Sequence, residues 1–448
     1  MSHLEGLIDF VLETRWEDLP EKVGGLAEMI KIDDFGSLFS GKDVKSSQIA
    51  GEYAVEAWGS GNSRIFATGE QCRPEGAAFA NGIATNALDL DDCGLFTKGH
   101  PGCQIFPTVL ALGEELEISG EEFLESLLVG YELAARVARV WHDYYEVYRA
   151  GGSWGAVAAA GVSARLMGLS PAETLEALRI AEYNSPYIPI ERGVKDPAMV
   201  KHGAGYGPVG GITAARLARK GFTGTETILS LDRYGEWLGD VGANFVIDGG
   251  VVWKEYASCA WTHPALDGIS KLLEEVEIDT AEVESVLVRG HSPAVQLGTR
   301  IPESTEEAQF NLSWPVATLL VAGEVGPDQV EGGALTDERI IRMAEKVSIE
   351  EDPRFTRLYE MAVRGEPGGK HVAEVEIRTL SGDLYRSGTV EGNIKYPPDN
   401  WDVNRIETKF KRVVGHALPW EKVNEVLGWV KELSEAGDLR DHSRLLDL

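Results

Sequence analysis

Apolar residues recur three and four positions apart through most of the first half of the chain, the period of a helix with one buried face. The pattern predicts helices over residues 4–12, 47–58, 77–90, 106–116, 121–141, 156–167, 171–181 and 208–219. Ser170-Pro171-Ala172-Glu173 is a start signal, with proline at the first helical position. Several segments carry Ala and Gly where Leu is expected; small side chains let helix axes approach, which implies a compact bundle. Near residue 275 the period changes to two. Residues 283–289 alternate as a half-buried strand, and 372–379 with 385–390 flank a turn at Leu380-Ser381-Gly382-Asp383. Helical segments at 308–322 and 337–346 lie between these strands. The expected fold is therefore mainly α with an α/β part: a large all-helical domain over 1–270, a smaller α/β (α+β) domain over 271–396 ending at the polar loop Tyr396-Pro397-Pro398-Asp399-Asn400, and helices in 397–448 that return to the first domain.

A chain of 448 residues is long enough for about two or three domains with a sizeable core. Its net charge of -30, from 72 acidic against 42 basic residues, disfavours nucleic acid and anionic membrane as partners. Any site for a small anion must then concentrate basic groups locally. Cys72, Cys93, Cys103 and Cys259 form no C-x-x-C pair, and the nine histidines show no zinc-type spacing, so neither a metal nor a disulfide framework is expected. The N-terminal segment has no basic flank before an apolar run, and no apolar stretch reaches the roughly twenty residues of a membrane span. Cytoplasm is the default expectation.

Chemistry concentrates in three places. In residues 86–113, Asp89, Asp91 and Asp92 end one apolar helical segment, and a short loop delivers His100 just before the next begins. A carboxylate beside an imidazole can move protons near neutral pH. Reading the aspartates as helix-end and turn residues, and His100 as a capped loop histidine, is equally open from the residues alone. The second place, residues 191–205, holds Arg192, Lys195, Lys201 and His202 in a glycine-rich approach to a helix, a natural cradle for a carboxylate; a solvated loop is the competing reading. The third, residues 254–264, brings Lys254, Cys259, Thr262 and His263 together, with capping and packing an equal alternative for His263.

The D-x-D-D segment, its loop and the His100-Pro101-Gly102 step resemble the MmgE/PrpD family. So do 155–169, 199–224, 254–268, 308–325 and 409–418, in the family's order. The resemblance implies a large helical domain and a smaller α/β lid domain with the active site between them, a homodimer, and a small polycarboxylate substrate handled without metal or organic cofactor. It implies catalytic roles for Asp89, His100, Lys201 and Lys254, with His202 a one-residue alternative to Lys201. Cys93, Arg149, His202, Cys259, His263 and Trp314 are expected around the substrate. Two positions depart from the family: Arg149 or its neighbours stand where a histidine usually precedes the Gly/Ala-rich helix, and Trp314 stands in a segment that usually offers tyrosine. The implied chemistry is proton abstraction next to a carboxylate, as in 2-methylcitrate dehydratase or cis-aconitate decarboxylase. An iminodisuccinate-type epimerase and a non-catalytic carboxylate-binding relative are the alternatives.

Overall fold

The computed structural model describes residues 2–392 and 401–446. Its N-terminal part is a bundle of α1 (His3–Glu13), α2 (Glu21–Gly41), α3 (Lys45–Trp58), α4 (Pro74–Asn86), α5 (Gly102–Leu116), α6 (Gly120–Tyr144), α7 (Gly151–Leu166), α8 (Pro171–Tyr183) and α9 (Tyr206–Arg219). The expected start of α8 is a reciprocal cap: Ser170 Oγ accepts from Glu173 N–H at 3.3 Å and the Glu173 carboxylate accepts from Ser170 N–H at 2.8 Å. Such a cap stabilises a helix by about 1 kcal/mol. The small residues serve close packing. A Cβ on Gly211 of α9 would lie 2.4 Å from that of Ala159 on α7, so glycine is what lets the two axes approach.

Two elements escaped the periodic reading for physical reasons. The second half of α2 is buried on every side, including Lys31, Asp33, Asp34, Ser37 and Ser40, so polar residues interrupt its apolar stripe. The expected helix at 308–322 is two helices, Thr305–Gln309 and α11 (Ser313–Ala322), because Asn311 Oδ1 accepts from the Trp314 N–H at 2.8 Å and caps the second. An earlier helix, α10 (His263–Glu275), packs against the C-terminal sheet and α11.

Short hairpin strands β1 (Ser63–Arg64) and β2 (Gln71–Cys72) lie on the bundle, and β3 (Cys93–Gly94) pairs with β4 (Val251–Val252). The C-terminal sheet holds β5 (Val283–Gly290), β6 (Val347–Glu351), β7 (Val372–Thr379), β8 (Leu384–Arg386) and β9 (Val390–Glu391). Its order is β6-β5-β7-β8, with β9 also on β7; β5 runs parallel to β6 and antiparallel to β7. The expected strand at 385–390 is thus divided between β8 and β9. β6 was not anticipated, since Val347 is its one buried residue and no alternation shows. Helices α12 (Glu338–Ala344) and α13 (Pro353–Val363) accompany this sheet. The tail helices, α14 (Val403–Val414) and α15 (Trp420–Glu432), follow; α14 lies along α2, where Lys409 Nζ meets Asp33 Oδ1 at 2.6 Å. The loop expected at 396–400, and with it the expected boundary at 396, lies outside the described residues. Among the described residues no helix is long and apolar enough to cross a membrane.

Candidate active site

The β3–β4 pairing, Cys93 opposite Val252 and Gly94 opposite Val251, sets the loop after α4 beside the segment that follows β4. Asp89 and Lys254 meet there, 2.9 Å apart, at 1% and 0% exposure. Asp89 takes a left-handed backbone (φ 55), as does Lys201 (φ 32). Such conformations cost a side-chain-bearing residue of order 1–3 kcal/mol and gather at functional sites. His100 spans two carboxylates: its Nε2 lies 3.1 Å from Asp89 Oδ1 and its Nδ1 3.1 Å from Asp91 Oδ1. A carboxylate beside each ring nitrogen favours the imidazolium. Burial opposes that charge, but Asp91, Cys93 and Asp89 outweigh it and carry the His100 pKa well above the usual imidazole range.

The same accounting applies to its neighbours. Burial would raise Asp89, but Lys254, His100 and Lys201 hold it well below the usual carboxylate range. Burial would lower Lys254, but Asp89 and Cys93 leave it above the ordinary lysine value. Lys254 Nζ is ion-paired with Asp89 at 2.9 Å and has no other acceptor among the described residues, so this buried ammonium has donors to spare.

Lys201 is differently engaged. It donates to the Asn86 carbonyl, to the Ala87 carbonyl at 3.2 Å and to Gln309 Oε1 at 2.7 Å, so it closes the C-terminal end of α4 while its charge acts on Asp89. His202 lies with its ring 4.6 Å from that of His100, and its Nδ1 is 3.1 Å from Asn86 Oδ1. Asn86 Nδ2 donates to Asp91 Oδ1 at 2.8 Å, which orients the amide and makes His202 Nδ1 the donor. Its Nε2 keeps a lone pair. Burial and the charge on His100 push His202 down to about 3, so this ring is neutral.

Cys93 Sγ sits 3.8 Å from both nitrogens of His100. Burial and the Asp89 charge push the Cys259 thiol up to about 12, so it is a neutral wall of the same chamber. The remaining expected residues face elsewhere. The Arg149 guanidinium stacks over Tyr145 at 4.0 Å and Tyr187 at 4.8 Å, in an aromatic niche. Trp314 is fully buried and donates from Nε1 to the Gln329 carbonyl at 3.0 Å, inside the small domain. His263 packs edge-on against Tyr256, with its Nε2 3.3 Å from the Ser258 carbonyl.

Behind the His100 loop lies a second acidic layer that the sequence reading did not pick out. The Tyr131 hydroxyl donates to Asp34 Oδ2 at 2.9 Å, and Gly102 N–H donates to Asp92 Oδ1 at 3.2 Å. A Cβ on Gly102 would fall 2.1 Å from Asp34 Oδ1 and 2.8 Å from Asp92 Oδ1, so the carboxyls converge on the first turn of α5. Burial and the charges of neighbouring aspartates, Asp92 on Asp34 and Asp33 and Asp91 on Asp92, raise both well above the usual carboxylate range. The adjacent Asp33-Asp34 in an apolar stretch was the available signal.

Asp89, His100 and His202 also bring three potential ligand atoms within 4.8 Å of one another, a grouping invisible in the sequence spacing. Lys254 already neutralises Asp89 and His100 carries a proton, so a cation would have to displace both. The arrangement fits an anion better.

A helical bundle and a small α/β domain around a buried, cation-rich carboxylate–imidazole–lysine cluster define an enzyme of the lyase class. The chain belongs to the MmgE/PrpD family: residues 5–237 match the MmgE/PrpD N-terminal domain and residues 256–433 the MmgE/PrpD C-terminal domain. It is 24% identical to the human cis-aconitate decarboxylase, over 96% of this chain and 91% of that protein. It is 22% identical to the Aspergillus terreus cis-aconitate decarboxylase, over 96% and 93%. Identity to the Escherichia coli 2-methylcitrate dehydratase is 22%, over 81% and 80%.

Proposed function

We propose that this protein is a cofactor-independent lyase that decarboxylates a small di- or tricarboxylic acid. The observation that carries the reading is Lys254: a wholly buried ammonium with available donors is held ready for an anion, in a protein of net charge -30. A substrate carboxylate on Lys254 would lie against the His100 imidazolium. As carbon dioxide leaves, the electron pair of the broken C–C bond delocalises toward a remaining carboxylate, and these two cations stabilise the developing charge. A proton transferred to carbon completes the reaction, and solvent restores it to the donor.

Acids outnumber competent bases in this cluster. His202 Nε2 is the unprotonated nitrogen, and a base whose pKa is depressed to about 3 abstracts a carbon-bound proton poorly. Decarboxylation needs no base. The second reading is dehydration, with His202 Nε2 removing an α-proton and His100 protonating the departing hydroxyl; the free lone pair on His202 and the likeness to 2-methylcitrate dehydratase favour it.

Proton NMR in deuterated buffer with cis-aconitate, citrate, 2-methylcitrate and iminodisuccinate separates these outcomes. Loss of carbon dioxide with one deuteron incorporated supports the first reading. Water loss supports the second, and exchange with inversion would make the protein an epimerase. Binding without turnover would leave a carboxylate-binding relative. We further expect a homodimer, because Tyr187, Val200 and Tyr206, 61%, 72% and 56% exposed, lie around the Lys201 loop. A monomeric mass in analytical ultracentrifugation at micromolar concentration would overturn that expectation.

A further inference from the structure

We propose that the cavity between residues 194–197 and 296–311 is the outer anion site of the substrate path, where Lys195 and Arg300 take up a small polycarboxylate before it reaches Lys254. The inference rests on the Asp89 cluster being the seat of the chemistry and adds the route by which an anion reaches it.

The cavity encloses about 140 Å³ and shares a wall with the cluster. That wall is Phe310, whose ring lies 5.6 Å from the His202 ring, itself 4.6 Å from that of His100. One residue earlier, Gln309 Oε1 accepts from Lys201 Nζ at 2.7 Å and the Gln309 carbonyl from the Cys259 N–H at 2.9 Å. The strip Gln309–Phe310 thus belongs to both spaces. The rim at 298–300 is fixed to the next residues: Asn311 Nδ2 donates to the Arg300 carbonyl at 2.6 Å, and the Leu312 N–H to the Gly298 carbonyl at 3.1 Å. Lys195 comes from the other side, on the chain that leads to Lys201. The asparagine that caps α11 therefore also builds the cavity.

The charged groups lining this space are Lys195, Arg300 and Glu307, two cations against one carboxylate. Glu307 is spent, since one oxygen accepts from the Glu303 N–H at 2.7 Å and the other from Arg300 Nη1 at 3.0 Å. Arg300 keeps most of its N–H groups for another acceptor, and Lys195 has only a 3.9 Å ion pair with the exposed Glu191. The two basic side chains are 63% and 60% exposed, so they meet an anion while it is still in solvent. A net charge of -30 repels such an anion at long range, and a local excess of positive charge beside the cluster offsets that repulsion where it matters. Exposed charges add little affinity, so the pair acts on the arrival of the acid and leaves the chemical step to the buried cations.

Lys195→Gln combined with Arg300→Gln removes both charges from exposed positions and leaves the Asn311 bond to the Arg300 carbonyl in place. On whichever acid the wild type consumes, we expect kcat/KM at low ionic strength to fall about tenfold, kcat to change less than about twofold, and the loss of kcat/KM with added salt to flatten. An unchanged kcat/KM with the same salt dependence overturns the proposal and leaves the lyase reading intact. A kcat that falls in step with kcat/KM also overturns it, because the charges would then act on the chemistry. Should the wild type consume none of the acids, that reading fails instead, and Thr299→Cys tests the anion site by itself, since position 299 is exposed and lines the cavity. Millimolar tricarballylate should slow the reaction of the introduced thiol with iodoacetamide several-fold, with the native cysteines accounted for by the same measurement on the wild type. The protection should disappear when Lys195→Gln and Arg300→Gln are added. An unslowed reaction, or protection that survives the loss of both charges, removes the site.

Discussion

Replacing Lys254 by Met tests the central ion pair, because the substitution keeps an unbranched apolar stem and removes the ammonium with its charge and donors. Lys254 and Asp89 stand 2.9 Å apart and are together almost wholly excluded from solvent. Removing one partner of such a pair costs about 3–5 kcal/mol, since the other is left as an uncompensated buried charge. Asp89 is depressed, so its contribution is present above the unfolded value of about 3.9 and lost as pH falls through the folded value. Lys254 is raised, so its contribution is present below the unfolded value of about 10.4 and lost as pH rises through the folded one. The pair is therefore intact from about pH 4 to about pH 10 by these reference values, and denaturant unfolding at pH 7 should show the full loss. Adding Asp89→Asn should return roughly 2–3 kcal/mol, within the coupling range of contacting charged residues. The charge-assisted bond to substrate is worth about 1.5–3 kcal/mol, so kcat/KM of Lys254→Met should fall roughly 10- to 150-fold. Effects of the two substitutions that add within about 0.5 kcal/mol would refute the coupling. An unchanged kcat/KM would refute the substrate contact.

Further outcomes follow from neighbouring groups. Asp34→Asn should stabilise the protein by about 1–3 kcal/mol at neutral pH, because an amide is neutral without the cost of holding a buried carboxyl protonated. The sign follows from the raised Asp34: its protonated form contributes fully below the unfolded carboxyl value and that contribution is lost as pH rises through the folded one, so the gain should vanish below about pH 4 in urea titrations. Gly102→Ala forces a methyl to within 2.1 Å of Asp34 Oδ1, and thermal unfolding should show a loss of about 1–3 kcal/mol. Arg149→Ala should leave kcat/KM within about threefold while costing about 0.5–1 kcal/mol of stability from its lost aromatic contacts. A hundredfold loss of kcat/KM there would return Arg149 to the substrate site.

Much of this was legible because the relevant interactions are local. A helix with one wet face prints its period, which is why α8 was recovered; α5 and α6 are buried nearly all round but carry mainly apolar residues, whereas the buried second half of α2 is interrupted by Lys31, Asp33, Asp34, Ser37 and Ser40. Asp89 and His100 lie on one loop, so their meeting could be read from the sequence. Lys254 reaches them only through the β3–β4 pairing, across about a third of the chain, and there the family resemblance supplied what spacing could not. The limits were directional. Arg149 and Trp314 occupy the expected positions in the chain, but aromatic stacking draws one away and a carbonyl fifteen residues downstream anchors the other. Asp34 lay beyond reach because a buried acid becomes informative only when its partner, Asp92, is seen beside it.

The charge balance of the chamber separates the two chemistries. Lys201, Lys254 and His100 face the two carboxylates Asp89 and Asp91, while Asp34 and Asp92 are both raised toward their neutral form, so the cluster keeps an excess of positive charge. A polycarboxylate overturns that excess on entering, and in a water-poor interior the surplus negative charge is costly. Dehydration leaves the charge of the bound acid unchanged, so the excess persists into the product complex. Decarboxylation followed by protonation removes one negative charge from the bound molecule as neutral carbon dioxide departs, and that relief is available along the reaction coordinate. The same cations that attract the substrate therefore bind the less charged product more weakly. A product Kd at least tenfold above that of an unreactive tricarboxylate analogue is the expected result, and equal affinities would remove this argument for decarboxylation.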